Sequence, residues 1–388
     1  MTTRYMESLE VNNFGPIEKA KVNFGDLTFI VGPQASGKSL FLELLKYLLD
    51  KDFILSNLKR FNYVVESSNP KKILDLFFGE GMNEAFREDT DIFLNGKRLT
   101  TNSLLTFDQE NLTTERMFYI PAQRILSISD GRPKNFMEFD VATPYVLRLF
   151  SETLRIYLQG GLDNAVIFPA GKRLKEALLN SFDENIFHGG KIVMEDVAGL
   201  RKFKMRIDSA NIPFMTWSAG QKEFMPLLLA FYYLSSGDGH KLMKRGEHKY
   251  VVIEEPEMGL HPQAIKSVIL EILDLIHNGM KVIVSTHSTT LLDFAWAFNI
   301  IKKSSRDNKV EAFYEMFDIA KDASNEHLFD ELLEKKVSTV YFSRNGKYVT
   351  STDISSLDAG DENLDVSEWG GLSQFASKTA EIVFNYSE

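Results

Sequence analysis

Gly32-Pro33-Gln34-Ala35-Ser36-Gly37-Lys38-Ser39 has the spacing G-x-x-x-x-G-K-S. Residues of these types at this spacing can wrap the phosphates of a nucleotide. Glycines let the chain turn tightly enough for successive amide N–H groups to converge on an anion. A helix that starts at the end of the loop adds partial positive charge there. Lys38 would reach the β- and γ-phosphates, and Ser39 would hold Mg²⁺. A second cluster is acidic: Tyr250-Val251-Val252-Ile253 runs into Glu254-Glu255-Pro256-Glu257. An apolar strand that delivers carboxylates at its C-terminal end is how an α/β sheet builds a ligand site. Successive strand residues point in different directions. Glu254 can therefore bind Mg²⁺, directly or through water, while Glu255 orients or deprotonates an attacking water. The plain structural alternatives are a glycine turn with a chance lysine and a strand capped by solvated acids. Each motif makes the bland reading of the other harder to sustain.

Two shorter segments add polar groups. Trp217-Ser218-Ala219-Gly220-Gln221-Lys222 precedes a helical pattern. Ser218 is positioned to cap that helix, and the helix start with its glycine amide can receive a phosphate. An ordinary capped helix is the alternative. Val284-Ser285-Thr286-His287-Ser288 puts His287 just past a strand end, where it can hydrogen-bond a γ-phosphate or serve the structure alone.

The elements that must position these residues follow from periodicity. Met6–Val11 and Ala20–Phe24 read as short strands around the turn at Asn12-Asn13-Phe14-Gly15-Pro16. Leu27–Val31 reads as the strand before the phosphate loop, and Leu40–Leu49 as the helix after it. Asp91–Lys97 reads as a hairpin with an Asn-Gly turn, and Met117–Ile120 as an apolar strand ending at Pro121. From about 135 to 187 the pattern is helical, with Val146, Leu147, Leu149, Phe150, Leu154 and Tyr157 at helical spacing. Lys191–Met194 and Phe203–Ile207 read as a hairpin around Gly199, and Phe224–Leu234 as a helix. Tyr250–Ile253 and Lys281–Val284 have the continuous apolar character of buried parallel strands, with a helix at Ala264–Ile276 between them. Val340–Val349 is a second Asn-Gly hairpin, followed by an acidic loop at Asp358–Asp365.

The chain has 388 residues, a net charge of −10 and no cysteine. The length suggests about two domains. The absence of cysteine excludes disulfides, cysteine–zinc sites and thiol catalysis, and it fits a reducing compartment. Met1-Thr2-Thr3-Arg4-Tyr5 opens no long apolar stretch, so no signal peptide is expected, and no apolar run is long enough to predict a membrane span. Global acidity argues against passive coating of nucleic acid but leaves a local basic groove open. Lys172-Arg173-Leu174-Lys175 reads as a solvated helix face.

Taken in order, the phosphate loop, Tyr119-Ile120-Pro121-Ala122-Gln123-Arg124, Ser218-Ala219-Gly220-Gln221, Ile253-Glu254-Glu255-Pro256-Glu257 and Ser285-Thr286-His287-Ser288 resemble the ATP-binding-cassette ATPases. The phrase Glu254-Glu255-Pro256-Glu257-Met258-Gly259-Leu260-His261-Pro262 looks most like the soluble branch that includes the OLD-family ATPases, with kinship to the heads of SMC-type proteins. The resemblance covers roughly residues 6 to 300. It implies an α/β fold: an ABC-type P-loop ATPase head, a mixed sheet with flanking helices and a helical insert. The implied division is an N-terminal ATPase lobe over 1–124, a helical insert over 125–190, a C-terminal ATPase lobe over 191–300 and a C-terminal α/β extension over 301–388.

The resemblance also implies roles. Gly32, Pro33, Gln34, Ala35, Ser36, Gly37, Lys38 and Ser39 would bind ATP, as would Ser218, Ala219, Gly220 and Gln221 contributed to the site of an opposite subunit. Ser39, Gln123 and Glu254 would hold Mg²⁺. Glu255, His287 and Gln123 would be catalytic, with Arg124 the alternative to Gln123. Gly259 to His261 would lie at a dimer seam. Ala219 departs from the glycine of many relatives, and Glu254 from their aspartate; neither change removes a needed group. The implied protein is a cytoplasmic ATPase that closes as a head-to-head dimer or higher homo-oligomer. Anti-phage systems such as PARIS, Septu and the retron-associated systems contain ATPases that this chain resembles. A regulatory role over a separately encoded nuclease or toxin, with no membrane partner and nucleic acid left open, is the leading expectation. The alternatives are a DNA-repair or chromosome-maintenance ATPase, disfavoured by the short interval from Arg124 to Trp217, and a transporter nucleotide-binding subunit.

Overall fold

The computed structural model describes residues 6–65, 71–107, 114–161, 166–170, 174–235, 248–321 and 328–387. In chain order, β1 (Ser8–Phe14), β2 (Ile17–Asn23) and β3 (Leu27–Val31) lead into α1 (Lys38–Arg60). Next come α2 (Lys72–Phe78), β4 (Phe86–Leu94), β5 (Lys97–Leu99), α3 (Thr101–Leu105) and β6 (Met117–Ile120). Short strands β7 (Ile128–Ser129) and β8 (Arg132–Pro133) precede α4 (Tyr145–Gly161), β9 (Val166–Phe168) and α5 (Glu176–Phe182). The chain continues through β10 (Lys191–Val197), β11 (Leu200–Ile207), β12 (Ala210–Pro213), α6 (Ala219–Ser235), β13 (Tyr250–Glu254), α7 (Pro262–His277) and β14 (Lys281–Thr286). It closes with α8 (Thr289–Lys303), α9 (Glu311–Phe317), β15 (Val337–Asn345), β16 (Tyr348–Asp353), α10 (Leu364–Ser367) and α11 (Gln374–Tyr386).

A ten-stranded sheet runs β5-β4-β1-β2-β16-β15-β3-β14-β13-β6. Five neighbouring strands, from β15 through β3, β14 and β13 to β6, are parallel. Their C-terminal ends therefore open on one edge, where α/β sheets bind ligands. Alternate strand residues feed two cores, as the pleat requires. Val251 and Ile253 pack with Phe118, Ile120 and α6–α8 on one face. Tyr250 and Val252 pack with Met117, Tyr119 and α1 on the other. Both faces are covered, which explains why these strands read as continuous apolar runs.

The helix after the loop runs past Leu49 to Arg60, with a break at Asp50 (φ −123°, ψ 17°). Asp50 turns its carboxylate from solvent to structure. It accepts from the amides of Arg116 and Met117 at 2.9 and 3.1 Å and from Lys46 at 2.7 Å, which ties α1 to the start of β6. The polar run Asp50-Lys51-Asp52 interrupts the apolar period, so the helix looks shorter in the sequence than it is.

Two boundaries differ from the sequence reading. The 125–190 stretch carries helices α4 and α5, but β9 within it pairs with β10 in a separate four-stranded sheet, β12-β11-β10-β9. A cut at 190 divides that sheet. The C-terminal hairpin β15–β16 stands inside the main sheet, between β3 and β2. Residues 337–353 thus complete the sheet rather than extend it. Lys172 and Arg173 of the basic cluster lie outside the described residues, while Lys175 pairs with Asp274 at 2.7 Å. Among the described residues, no helix is long and apolar enough to cross a membrane.

Candidate functional site

The phosphate loop leaves the C-terminal end of β3 and enters α1. Gly37 (φ +78°) starts the helix. Ala35, with φ +57°, holds a left-handed backbone without being glycine. Pro33, Gln34, Ala35 and Ser39 are exposed, whereas Ser36 and Lys38 are buried. Lys38 Nζ donates to the carbonyls of Gly32 (2.8 Å) and Pro33 (2.9 Å) and lies 3.4 Å from the Ser36 hydroxyl. Burial pulls its ammonium below the usual lysine range, against the attraction of Glu255, Glu254 and Glu257. The lysine thus bridges the mouth of its own loop, held by groups that phosphate oxygens can replace.

Glu254 ends β13 and is buried. Its Oε2 accepts from the Ala122 amide at 3.3 Å, and its Oε1 has no hydrogen-bond partner. Burial pushes this carboxyl above the usual range, opposed by the nearby Ser39 hydroxyl and the Ala122 amide. An orphaned carboxylate oxygen beside a serine hydroxyl is a donor pair that suits a divalent cation reached directly or through water. Glu43 lies one helical turn beyond Ser39, and burial together with Glu254 pushes its carboxyl well above the usual range. Tyr119 sits against the same pair of acids, and burial raises its hydroxyl as well.

Glu255 has φ +43°, a costly backbone for a residue with a Cβ. Its amide donates to Ser285 at 2.8 Å, and its Oε1 is 3.5 Å from His287 Nε2. The imidazole holds the Glu255 carboxyl below the usual range. Glu257 holds the backbone that carries His287: its Oε1 accepts from the Thr286 hydroxyl (2.7 Å) and the His287 backbone amide (2.6 Å). The strained turn is gripped by Arg124, which is fully buried. Its guanidinium donates to the carbonyls of Glu223, Glu254 and Glu255 at 3.1, 3.1 and 3.2 Å. Gln123, by contrast, is exposed at the start of the 3₁₀ turn, and Arg124 is the residue of that pair that turns inward.

Sequence reasoning missed Glu43, Glu257 and Tyr119. The i, i+4 spacing of Ser39 and Glu43 on α1 was the available signal for the first. The other two stand inside the quoted acidic and Tyr119–Arg124 segments, but their roles were not legible because each acts through a neighbouring strand.

Ser218 starts α6 with a reciprocal cap: its Oγ accepts from the Gln221 amide, and Gln221 Oε1 accepts from the Ser218 amide, both at 3.2 Å. This is the S-x-x-Q capping box. Gln221 Nε2 also donates to the Ile186 carbonyl at 3.2 Å. Gly220 presses on the turn that follows Glu257, and a Cβ there would sit 2.5 Å from the Gly259 carbonyl oxygen. Ser218, Ala219 and Gln221 are not hydrogen-bonded to the phosphate loop of the same chain among the described residues. His261 is the cap of α7, with Nδ1 accepting from the Gln263 amide at 3.3 Å.

Several known proteins share parts of this chain. A 58-residue stretch is 41% identical to the Old nuclease of Escherichia phage P2, covering 15% of this chain and a tenth of that protein. The resemblance to the OLD branch is thus present in the sequence itself over that short stretch. An SMC head domain from Thermotoga maritima overlays with a TM-score of 0.36 and 13% identity, covering 90% of this chain and 99% of that one. An SMC head bound to the C-terminal winged-helix domain of ScpA gives 0.39 and 15%, covering 90% and 97%. A bacterial ABC transporter cassette gives 0.33 and 10%, covering 74% and 90%. These overlays are loose, and the architecture rests on the strand order described above. The family described as "AAA domain, putative AbiEii toxin, Type IV TA system" matches residues 27–293, from the first residue of β3 into α8 and so across both halves of the site. The chain is a member of that family.

Proposed function

We propose that this protein is an ATP-hydrolysing switch that closes as a head-to-head dimer. The observation that carries the reading is the Glu255–His287 pair, 3.5 Å apart and on the sheet edge that also presents Lys38. Glu255 is the general base, or the orienting group, for an attacking water. Its carboxyl is held below the usual range by His287, so it is ionised and able to accept a proton at neutral pH. His287 directs the base and is itself fixed by Glu257. Lys38 exchanges the Gly32 and Pro33 carbonyls for phosphate oxygens. Ser39 and Glu254 would hold Mg²⁺, which when bound supplies positive charge to the phosphate oxygens.

The exposed Ser218 end of α6 supports a composite site. Among the described residues Ser218 and Gln221 bond to each other rather than to the phosphate loop of the same chain, which leaves the helix end open to one from outside. A second copy, bringing its own phosphate loop, would complete the pocket. ATP then favours closure because it contacts both copies only in the closed state.

The test is Glu255→Gln, read by phosphate release and by light-scattering mass with ATP and Mg²⁺. The expected result is a loss of at least about a hundredfold in turnover, together with accumulation of a species of twice the monomer mass. Wild-type phosphate release would overturn the assignment of the base.

The biological role we propose is control of a separate nuclease or toxin in anti-phage defence. The family description and the short match to a phage nuclease support that direction. Protection from phage plating by the native gene cluster, lost on Lys38→Ala, is the outcome that tests it. Unchanged protection would remove the switch from the role.

A further inference from the structure

The C-terminal hairpin touches the phosphate loop at two points and the helix after it at a third, all from residues beyond the end of the family match. The carbonyl of Phe342 on β15 lies so near Gly32 that a Cβ there would approach it to 2.5 Å. The Phe342 ring meets Phe41 edge-on at 5.3 Å, just after the loop becomes helix. At the crown of the loop, Arg344 Nη1 donates to the Ala35 carbonyl at 3.0 Å. Its Nε donates to Gly346 at 3.0 Å, which braces the guanidinium against its own turn. Gly346 adopts φ +62°, a left-handed turn that reverses the hairpin tightly beside Arg344.

We infer that Arg344 is a positioning residue for phosphate binding, acting through Ala35. This rests on the nucleotide reading of the loop. Ala35 holds a left-handed backbone (φ +57°) that a residue with a Cβ resists. The Arg344 bond to its carbonyl offsets that resistance. In a planar trans peptide the C=O and the following N–H point to opposite sides. By holding the Ala35 oxygen toward the hairpin, Arg344 keeps the Ser36 N–H turned to the other side, away from the guanidinium. A loop whose amides are already oriented binds an anion without first reordering. Arg344 thereby couples a strand in the last quarter of the chain to affinity at a loop in its first tenth, with no contact to the reacting atoms.

The experiment titrates a fluorescent ATP analogue against wild type, Arg344→Ala, Arg344→Lys, Lys38→Ala, and Arg344→Ala in an Ala35→Gly background, each first shown to melt cooperatively. Arg344→Ala is expected to raise Kd and KM about tenfold with kcat unchanged. Arg344→Lys, which keeps the charge but loses the planar fork, falls between the two. Glycine adopts the left-handed backbone freely, so in the Ala35→Gly background the Arg344→Ala effect shrinks to less than about threefold. Wild-type affinity in Arg344→Ala beside lost binding in Lys38→Ala overturns the inference and leaves the nucleotide reading intact. An undiminished loss in the Ala35→Gly background also overturns it. Normal binding by Lys38→Ala overturns the nucleotide reading, and the inference falls with it.

Discussion

Burial raises the Glu254 carboxyl above the ordinary carboxylate range, whereas the imidazole of His287 holds that of the adjacent Glu255 below it. Titratable neighbours pushed in opposite directions divide the labour of a site. The raised group has a stability consequence. Its ionised form is disfavoured in the fold, so its contribution is fully present below the unfolded pKa and is lost as pH rises through the folded one. Glu254→Gln removes that loss. The expected outcome, without nucleotide, is a higher Tm than wild type at neutral pH, a gain that vanishes in acid. Thermal melts across pH check it, and a variant less stable than wild type at neutral pH would contradict it. The same substitution is expected to abolish Mg²⁺-dependent turnover. At this scale the sequence was legible where a short motif carries its own geometry, as with Lys38, Ser39, Glu254 and Glu255. It was ambiguous at Gln123 and Arg124, because adjacent residues in a short turn compete for the inward position. Arg124 also reads backbone carbonyls, which every residue type possesses.

The start of α6 illustrates what an element hides. The S-x-x-Q cap at Ser218 is visible as a pattern, and the structure forms it. The close approach of Gly220 to Gly259 is not visible, since it joins residues 39 positions apart through backbone alone. That contact links the proposed trans-acting helix end to the turn after the acids. In Gly220→Ala the new Cβ meets a carbonyl rather than a flexible side chain, so the two segments must separate. The expected outcome is retained affinity of the monomer for the fluorescent analogue, with ATP-dependent dimerisation lost. Sedimentation with and without ATP reads the second property. A variant that still dimerises with ATP would detach this helix end from the seam.

Across the whole molecule, local chemistry announced the hairpin around Asn345-Gly346 but not its address. A parallel pair such as β3–β15 is joined by no turn, and nothing short of the assembled sheet selects it. The same limit applies to β9, a three-residue strand whose partner begins more than twenty residues later. The position of β15 makes a severe prediction. Removing residues 335–388 strips β3 of a parallel neighbour and exposes an apolar edge. The shortened chain is expected to lose its cooperative melt and to aggregate, as read by circular dichroism and the soluble fraction. A cooperative melt near that of the full chain would show that the hairpin is dispensable. The address of β15 also bears on synthesis. The strand that carries the phosphate loop leaves the ribosome about 300 residues before its partner, a wait of roughly 15–60 s at ordinary elongation rates. Until then the nascent chain has an unfinished edge beside its nucleotide cradle. A chain cut short before β15 would carry its phosphate loop on a strand with one side unpaired, so support for the loop waits on the synthesis of residues 337–353.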